Sequence, residues 1–157
     1  SGDLNKTIQS VVENQESVAK ARGLSMSYSL DPSMPTVSFD ADKIVQVLNN
    51  LISNALKFTE SGGVTVKSKY IADKNFVEVG VEDTGCGIKN EDLGKLFEKF
   101  QQLGESHRKY SGTGLGLAIC REIIRQHNGK ISVESKYGQG SCFCFMFPVS
   151  VRGGNAV

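Results

Sequence analysis

Within the stretch "DKIVQVLNNLISNALKF", Asn50, Asn54 and Lys57 recur at helical intervals. At 100° per residue, Asn54 and Lys57 fall within about 40° of Asn50 with Gln46 beside them, while Val45, Leu48, Ile52 and Ala55 lie on the far side. A solvated helix face accounts for such a stripe. Its composition points elsewhere, because Asn is a poor helix former and a merely wet face usually carries Glu, Lys or Arg. Two amide oxygens one turn apart, followed by an ammonium, suit a hard cation and phosphate oxygens together, Mg²⁺ above all.

A second constellation is "VEVGVEDTGCGI". Along a strand of period two, Val77, Val79 and Val81 share one face and Asp83 continues it, so an apolar face finishes in a carboxylate. A buried carboxylate needs a donor, from the protein or from a ligand. Two readings stand side by side: a turn aspartate bonding the backbone of Gly85, or an acceptor for a bound molecule. Gly85 and Gly87 permit a sharp turn and let a flat ligand approach the backbone closely.

The third is "YSGTGLGLAIC", with Gly112, Gly114 and Gly116 ahead of a helical run. The dinucleotide fingerprint fails, because the position for its third glycine is Leu117 and no strand precedes the loop. A phosphate loop of the Walker type fails as well, since Leu117-Ala118 stands where Lys and Ser or Thr belong. What remains is a glycine-rich lead into a helix whose free N–H groups favour an anion, with a flexible hinge as the competing reading. Before it, "LGESHRKYS" is long, polar and bracketed by glycines, as lids are, and Arg108 and Lys109 can reach a phosphate across it. A charged surface loop without a role accounts for either residue taken singly.

The elements that must position these residues follow from periodicity. Leu4, Ile8, Val11, Val12 and Val18 predict a helix from Asp3 to about Arg22, with Gly23 placed to end it. Leu24 to Leu30 reads as a short strand and Val37 to Phe39 as a second extended piece, after which Asp40 or Asp42 caps a helix running to Phe58. Val64 to Ala72 and Phe76 to Asp83 form a hairpin about Asp73-Lys74-Asn75. Short helical turns are expected around Leu93 to Phe100, a helix from Leu115 to His127, and a closing hairpin of Lys130 to Ser135 with Ser141 to Val149. Hairpins separated by helices do not alternate as a doubly wound fold would. The expected class is α+β: a two-layer α/β sandwich, with a mixed, mostly antiparallel sheet of about five strands covered by three helices on one face.

Composition bounds the function classes. A chain of 157 residues with a formal charge of +1 is one ordinary domain without the basic field that nucleic acid binding requires, so any anion site must be local. No apolar run approaches a membrane span. Cys86, Cys120, Cys142 and Cys144 show no CxxC pair and no metal-type spacing with His107 or His127, which predicts a reduced, cytoplasmic setting with Cys142 and Cys144 sharing one strand face. Ser1-Gly2 looks like a cloning remnant, and predicts a domain cut from a longer protein.

Asn50 to Phe58, Asp83 to Ile88, Leu96 to Phe100 and Gly112 to Leu117 resemble, in order and spacing, the N box, first glycine box, F box and second glycine box of sensor histidine kinases. Gly140-Ser141-Cys142-Phe143 is similar to the last glycine-containing motif, and "RKYSGTGLGLAIC" is especially similar to hybrid kinases. The resemblance covers about Asp40 to Pro148 and implies the catalytic, ATP-binding domain, with the fold shared by gyrase, heat-shock chaperone and mismatch-repair ATPases. The cofactors implied are ATP and Mg²⁺. By resemblance, Asp83 accepts from the adenine amino group, Gly87 and Ile88 shape the base pocket, and Phe58 is a wall near the nucleotide, with Gly85 and Phe100 also among the nucleotide-binding residues. Asn54 is the principal metal ligand and Asn50 its neighbour. Lys57 and Arg108 carry the catalytic charges, and Lys109, Gly112, Thr113, Gly114, Leu115, Gly116, Leu117 and Ser141 complete the nucleotide site.

The reaction implied is transfer of the γ-phosphoryl to a histidine on a separate dimerisation domain. Neither His107 nor His127 has the acceptor context. The expected layout is a lead-in helix, 1–22, from the dimerisation domain but packed in this one, a catalytic domain, 23–150, and a disordered tail, 151–157. Expected partners are that phosphoacceptor domain and a response-regulator receiver domain, with no nucleic acid. The isolated domain is expected to be monomeric and the parent a homodimer, with a membrane anchor elsewhere in the parent left open. Two other readings compete: a hydrolytic ATPase of the related branches, and a docking module that keeps the pocket but has lost transfer. The first needs a carboxylate base where this chain has Asn50, and an amide cannot take a proton from water.

Overall fold

The computed structural model describes residues 2–87, 89, 91 and 115–149. Among the described residues, three helices, α1 (Leu4–Ala21), α2 (Ala41–Phe58) and α3 (Leu115–Gln126), accompany five strands. These are β1 (Ser25–Ser29), β2 (Gly63–Ile71), β3 (Phe76–Asp83), β4 (Lys130–Lys136) and β5 (Gly140–Pro148). The sheet order is β1-β2-β3-β5-β4, with β1 parallel to β2 and every other pair antiparallel. This is the α+β sandwich expected from the alternation of hairpins and helices.

Local chemistry sets the helix limits. The Asp3 carboxylate accepts the Lys6 N–H at 3.1 Å, and the Asp40 carboxylate accepts that of Lys43 at 3.2 Å, each satisfying a donor that a helix start leaves unpaired. Behind α1, Gly23 adopts φ +72°, a left-handed stop that suits glycine. The strands alternate as their sequences do. Val64, Val66, Val77, Val79, Val81, Phe143, Phe145 and Phe147 are buried under the helices, while Lys67, Lys69, Glu78 and Glu82 face outward.

One apolar cluster joins this inner face to Leu4, Ile8, Val11, Val12 and Ala19 of α1, to Ile44, Val47, Leu48, Leu51 and Ile52 of α2, and to Ile123 and Ile124 of α3. Helix α1 is thus part of the core. A polar clamp fixes its start to the sheet edge: Asn5 Nδ2 donates to the Asp31 carbonyl at 2.8 Å, and Ser68 Oγ donates to Asn5 Oδ1 at 2.8 Å while accepting the Asp31 N–H at 3.0 Å.

Two expectations need correction. Val18 lies at the edge of the buried stripe, whose centre runs through Ile8 and Ala19, and is 48% exposed. The extended piece at Val37 to Phe39 does not join the sheet; only Val37 pairs, in a single bridge with Gly2, because α1 begins two residues later. The turns expected around Leu93 to Phe100 and the tail from Val151 lie outside the described residues.

Candidate functional site

Helix α2 turns its apolar stripe to the sheet, which leaves Asn50, Asn54, Lys57 and Phe58 half-buried along one side. Helix α3 packs beside it. A Cβ added at Gly116, in the first turn of α3, would lie 3.4 Å from Asn50 Oδ1, so a glycine here brings the two helices close at the Asn50 amide. One turn on, Cys120 is buried with its Sγ 3.9 Å from the Val47 carbonyl. Burial pushes the Cys120 thiol up to about 12, against a hydrogen bond from the Asn50 side chain. Asn50 thus bridges α2 to the start of α3, where the first N–H groups of a helix have no intrahelical partner.

The second half of the site gathers around Asp83. It ends the buried face of β3 and is 8% exposed. Its Oδ1 accepts the Gly85 N–H at 2.8 Å, and the N–H of Ser141, its partner on β5, also donates to the carboxyl. Burial raises the Asp83 pKa, and these two donors oppose the rise. The turn reading of Asp83 therefore holds: the carboxylate bonds its own turn from a buried position.

The turn after Asp83 is pressed between two elements. A Cβ at Gly85 would meet the Phe58 carbonyl oxygen at 2.5 Å, and one at Gly87, whose φ is +73°, would collide with the Lys136 carbonyl. The Gly138 N–H donates to the Cys86 carbonyl at 2.6 Å, tying the turn to the loop between β4 and β5. Gly140 at φ +128° packs directly on the Asp83 backbone. Its role beneath Asp83 was not visible in sequence, although "GQGS" marked the turn.

The structure places Asn50, Asn54, Lys57 and Phe58 on α2, with Gly116 at the start of α3 close to Asn50, and sets Asp83, Gly85, Gly87 and Ser141 at the end of the central strands, with Gly85 close to the Phe58 carbonyl; Leu117 follows on α3. Leu115 begins α3. Ile88, Phe100, Arg108, Lys109, Gly112, Thr113 and Gly114 lie outside the described residues. Among the described residues, no cluster of three or more His, Cys, Asp or Glu side chains is arranged to hold a metal. Likewise, no described helix is long and apolar enough to cross a membrane.

Residues 39–151 match the family model described as histidine kinase-, DNA gyrase B- and HSP90-like ATPase. The chain belongs to this ATPase family. Within it, the similarity runs to histidine kinases. The chain is 40% identical over 147 residues to hybrid signal transduction histidine kinase L of Dictyostelium discoideum, covering 90% of this chain but 9% of that protein. The catalytic domain of histidine kinase ThkA, in a nucleotide-free form, superposes with a TM-score of 0.82 at 32% identity, covering 96% of this chain and 97% of that one. Full-length ShkA in complex with AMPPNP superposes at 0.86 with 31% identity, over 96% of this chain and 31% of that one. This ATPase-family domain is therefore a catalytic domain of histidine-kinase type, spanning a small part of its longer relatives.

Proposed function

We propose that this domain binds Mg-ATP and transfers the γ-phosphoryl group to a histidine on a separate dimerisation domain. The observation that carries it is a buried acceptor, Asp83, whose turn packs at Gly85 against Phe58 at the end of α2, the helix that also carries Asn50, Asn54 and Lys57 and meets the start of α3 at Gly116. Asp83 accepts a hydrogen bond from the adenine amino group. Gly85 and Gly87 let the turn beside Asp83 pack closely on the Phe58 and Lys136 carbonyls, which fixes the backbone around the acceptor. The donor set also fits a hard cation, since amide oxygens at Asn50 and Asn54 are neutral oxygen ligands one helical turn apart.

Mg²⁺ bound there would neutralise charge on the triphosphate. Lys57 places an ammonium on the same side of α2, and the N–H groups of Gly116 and Leu117 offer donors to phosphate oxygens. Arg108, Lys109, Gly112, Thr113 and Gly114 are proposed to close over the nucleotide from the intervening loop. Catalysis is positioning and charge neutralisation, with the nucleophile supplied from outside. Asn50 supplies no general base for activating water, which favours transfer over hydrolysis.

The test is phosphotransfer. ATP labelled at the γ-position should leave no stable phosphohistidine on the isolated domain until a dimerisation domain bearing an acceptor histidine is added. Label on His107 or His127, or phosphate release with an unlabelled acceptor, would contradict the proposal.

A further inference from the structure

The outer face of the sheet carries a feature that nucleotide binding does not use. Cys142 and Cys144 sit two residues apart on β5 with their sulfurs 3.5 Å from each other. Both are free and half-buried. Their neighbour across the β3 ladder is Gly80, paired with Cys144; a Cβ there would lie 3.3 Å from the Cys144 sulfur and 3.4 Å from that of Cys142. Both thiols thus converge over the one position of β3 that lacks a side chain. They line an open depression of about 420 Å³ that also reaches Ser29, Asp31, Lys67 and Glu78, wide enough for a small oxidant.

We propose that Cys142 and Cys144 form a modification site, a dithiol that closes to an intramolecular disulfide under a two-electron oxidant such as hydrogen peroxide. The Cys144 sulfur, as thiolate, attacks one peroxide oxygen; the O–O bond breaks, hydroxide leaves, and a sulfenic acid forms. The Cys142 sulfur then attacks the Cys144 sulfur, the S–O bond breaks, and the departing hydroxide leaves as water with the Cys142 proton. Two thiols and one peroxide become one disulfide and two waters.

Geometry and chemistry support the pair. Residues two apart on an antiparallel strand that rises about 3.4 Å per residue stand about 6.8 Å apart at Cα, the upper limit of what a disulfide spans. Closure therefore requires β5 to shorten and kink between the two residues. The hydrogen bond between the sulfurs lowers the pKa of Cys144, against burial and the charges of Glu78, Glu134 and Glu82, and raises that of Cys142. That division matches an attacking thiolate beside a resolving thiol. Cys120, by contrast, is fully buried.

Tightening β5 has a target. Ser141 adjoins Cys142, pairs with Asp83, and donates its N–H to the Asp83 carboxyl. Drawing residues 142 to 144 together shifts that donor and weakens binding at Asp83. This coupling rests on the nucleotide reading above, whereas the disulfide itself does not.

The whole domain, Cys142→Ser and Cys144→Ser would each be treated with hydrogen peroxide, then alkylated and mapped by peptide mass spectrometry, with nucleotide affinity titrated before and after. The wild type should lose two hydrogens in the peptide holding both residues, reversibly with dithiothreitol, and neither variant should. Affinity for an ATP analogue should fall by about fivefold, the low end of ordinary coupling between linked sites, and recover on reduction. Both thiols remaining alkylatable, or crosslinks only between molecules, would overturn the site. A disulfide with unchanged affinity would overturn the coupling. Reduced protein that binds no nucleotide would mark failure of the pocket reading instead.

Discussion

Asp83 concentrates the cost and the use of the site in one side chain. Three donors would converge on it with ligand bound: the N–H groups of Gly85 and Ser141 and the base amino group. Asp83→Asn swaps one acceptor for a donor among them, so nucleotide binding should be lost while the fold persists. Calorimetry showing wild-type affinity would refute the adenine contact. The same variant carries a pH signature. Because burial raises the folded-state pKa, Asp83 contributes stability that is present below its unfolded value near 3.8 and lost as pH rises through the folded value. Urea midpoints should therefore favour Asp83→Asn at neutral pH, and the gap should close on acidification; a gap independent of pH would remove the burial argument. At Asn54, substitution by Ala should abolish the Mg²⁺ dependence of triphosphate affinity, measured by titration with and without the metal. A variant that still requires Mg²⁺ to the same degree would deny it the ligand role.

Among the elements, the joint between α3 and α2 decides how the two segments proposed to face the phosphates sit. His127 holds it from the far end: Nε2 accepts the Asp40 N–H at 3.1 Å, just ahead of α2, and Nδ1, which then carries the proton, donates to the Ile123 carbonyl at 2.9 Å. Sequence shows His127 near a helix end, a structural or surface residue without acceptor context, and its partner, 87 positions away, appears only in the fold. His127→Leu keeps the volume and removes the partner of the Asp40 N–H. It should cost about 1 kcal/mol in denaturant unfolding, the net contribution of one hydrogen bond. An unchanged midpoint would show that water replaces the ring. Gly140→Ala acts through the hairpin of β4 and β5: φ +128° and the collision with the Asp83 carbonyl should destabilise by more than about 1 kcal/mol and reduce nucleotide affinity together. Stability and affinity moving separately would argue that the hairpin turn and the Asp83 pocket are independent.

For the whole molecule, α1 matters most, because it is built into the core. Leu4, Ile8 and Val12 are fully buried. Removing residues 2–22 should leave the remaining chain without cooperative unfolding by circular dichroism, and a truncated domain with a sharp transition would show that α1 is dispensable. Much of this architecture was legible in sequence. The period of valines in β2 and β3, the apolar stripe of α2 and the aspartate caps each depend on neighbours within a few residues, and such local constraints are written in the chain order. Residue type at helical spacing likewise singled out Asn50, Asn54 and Lys57, and the strand period singled out Asp83. Tertiary structure alone decided what these groups meet: Asn50 against Gly116 and Cys120, Asp83 beneath Gly140 and beside Ser141, Cys142 and Cys144 converging over Gly80. Those meetings join residues distant in sequence, and their distances depend on sheet register and helix packing, which no local pattern encodes.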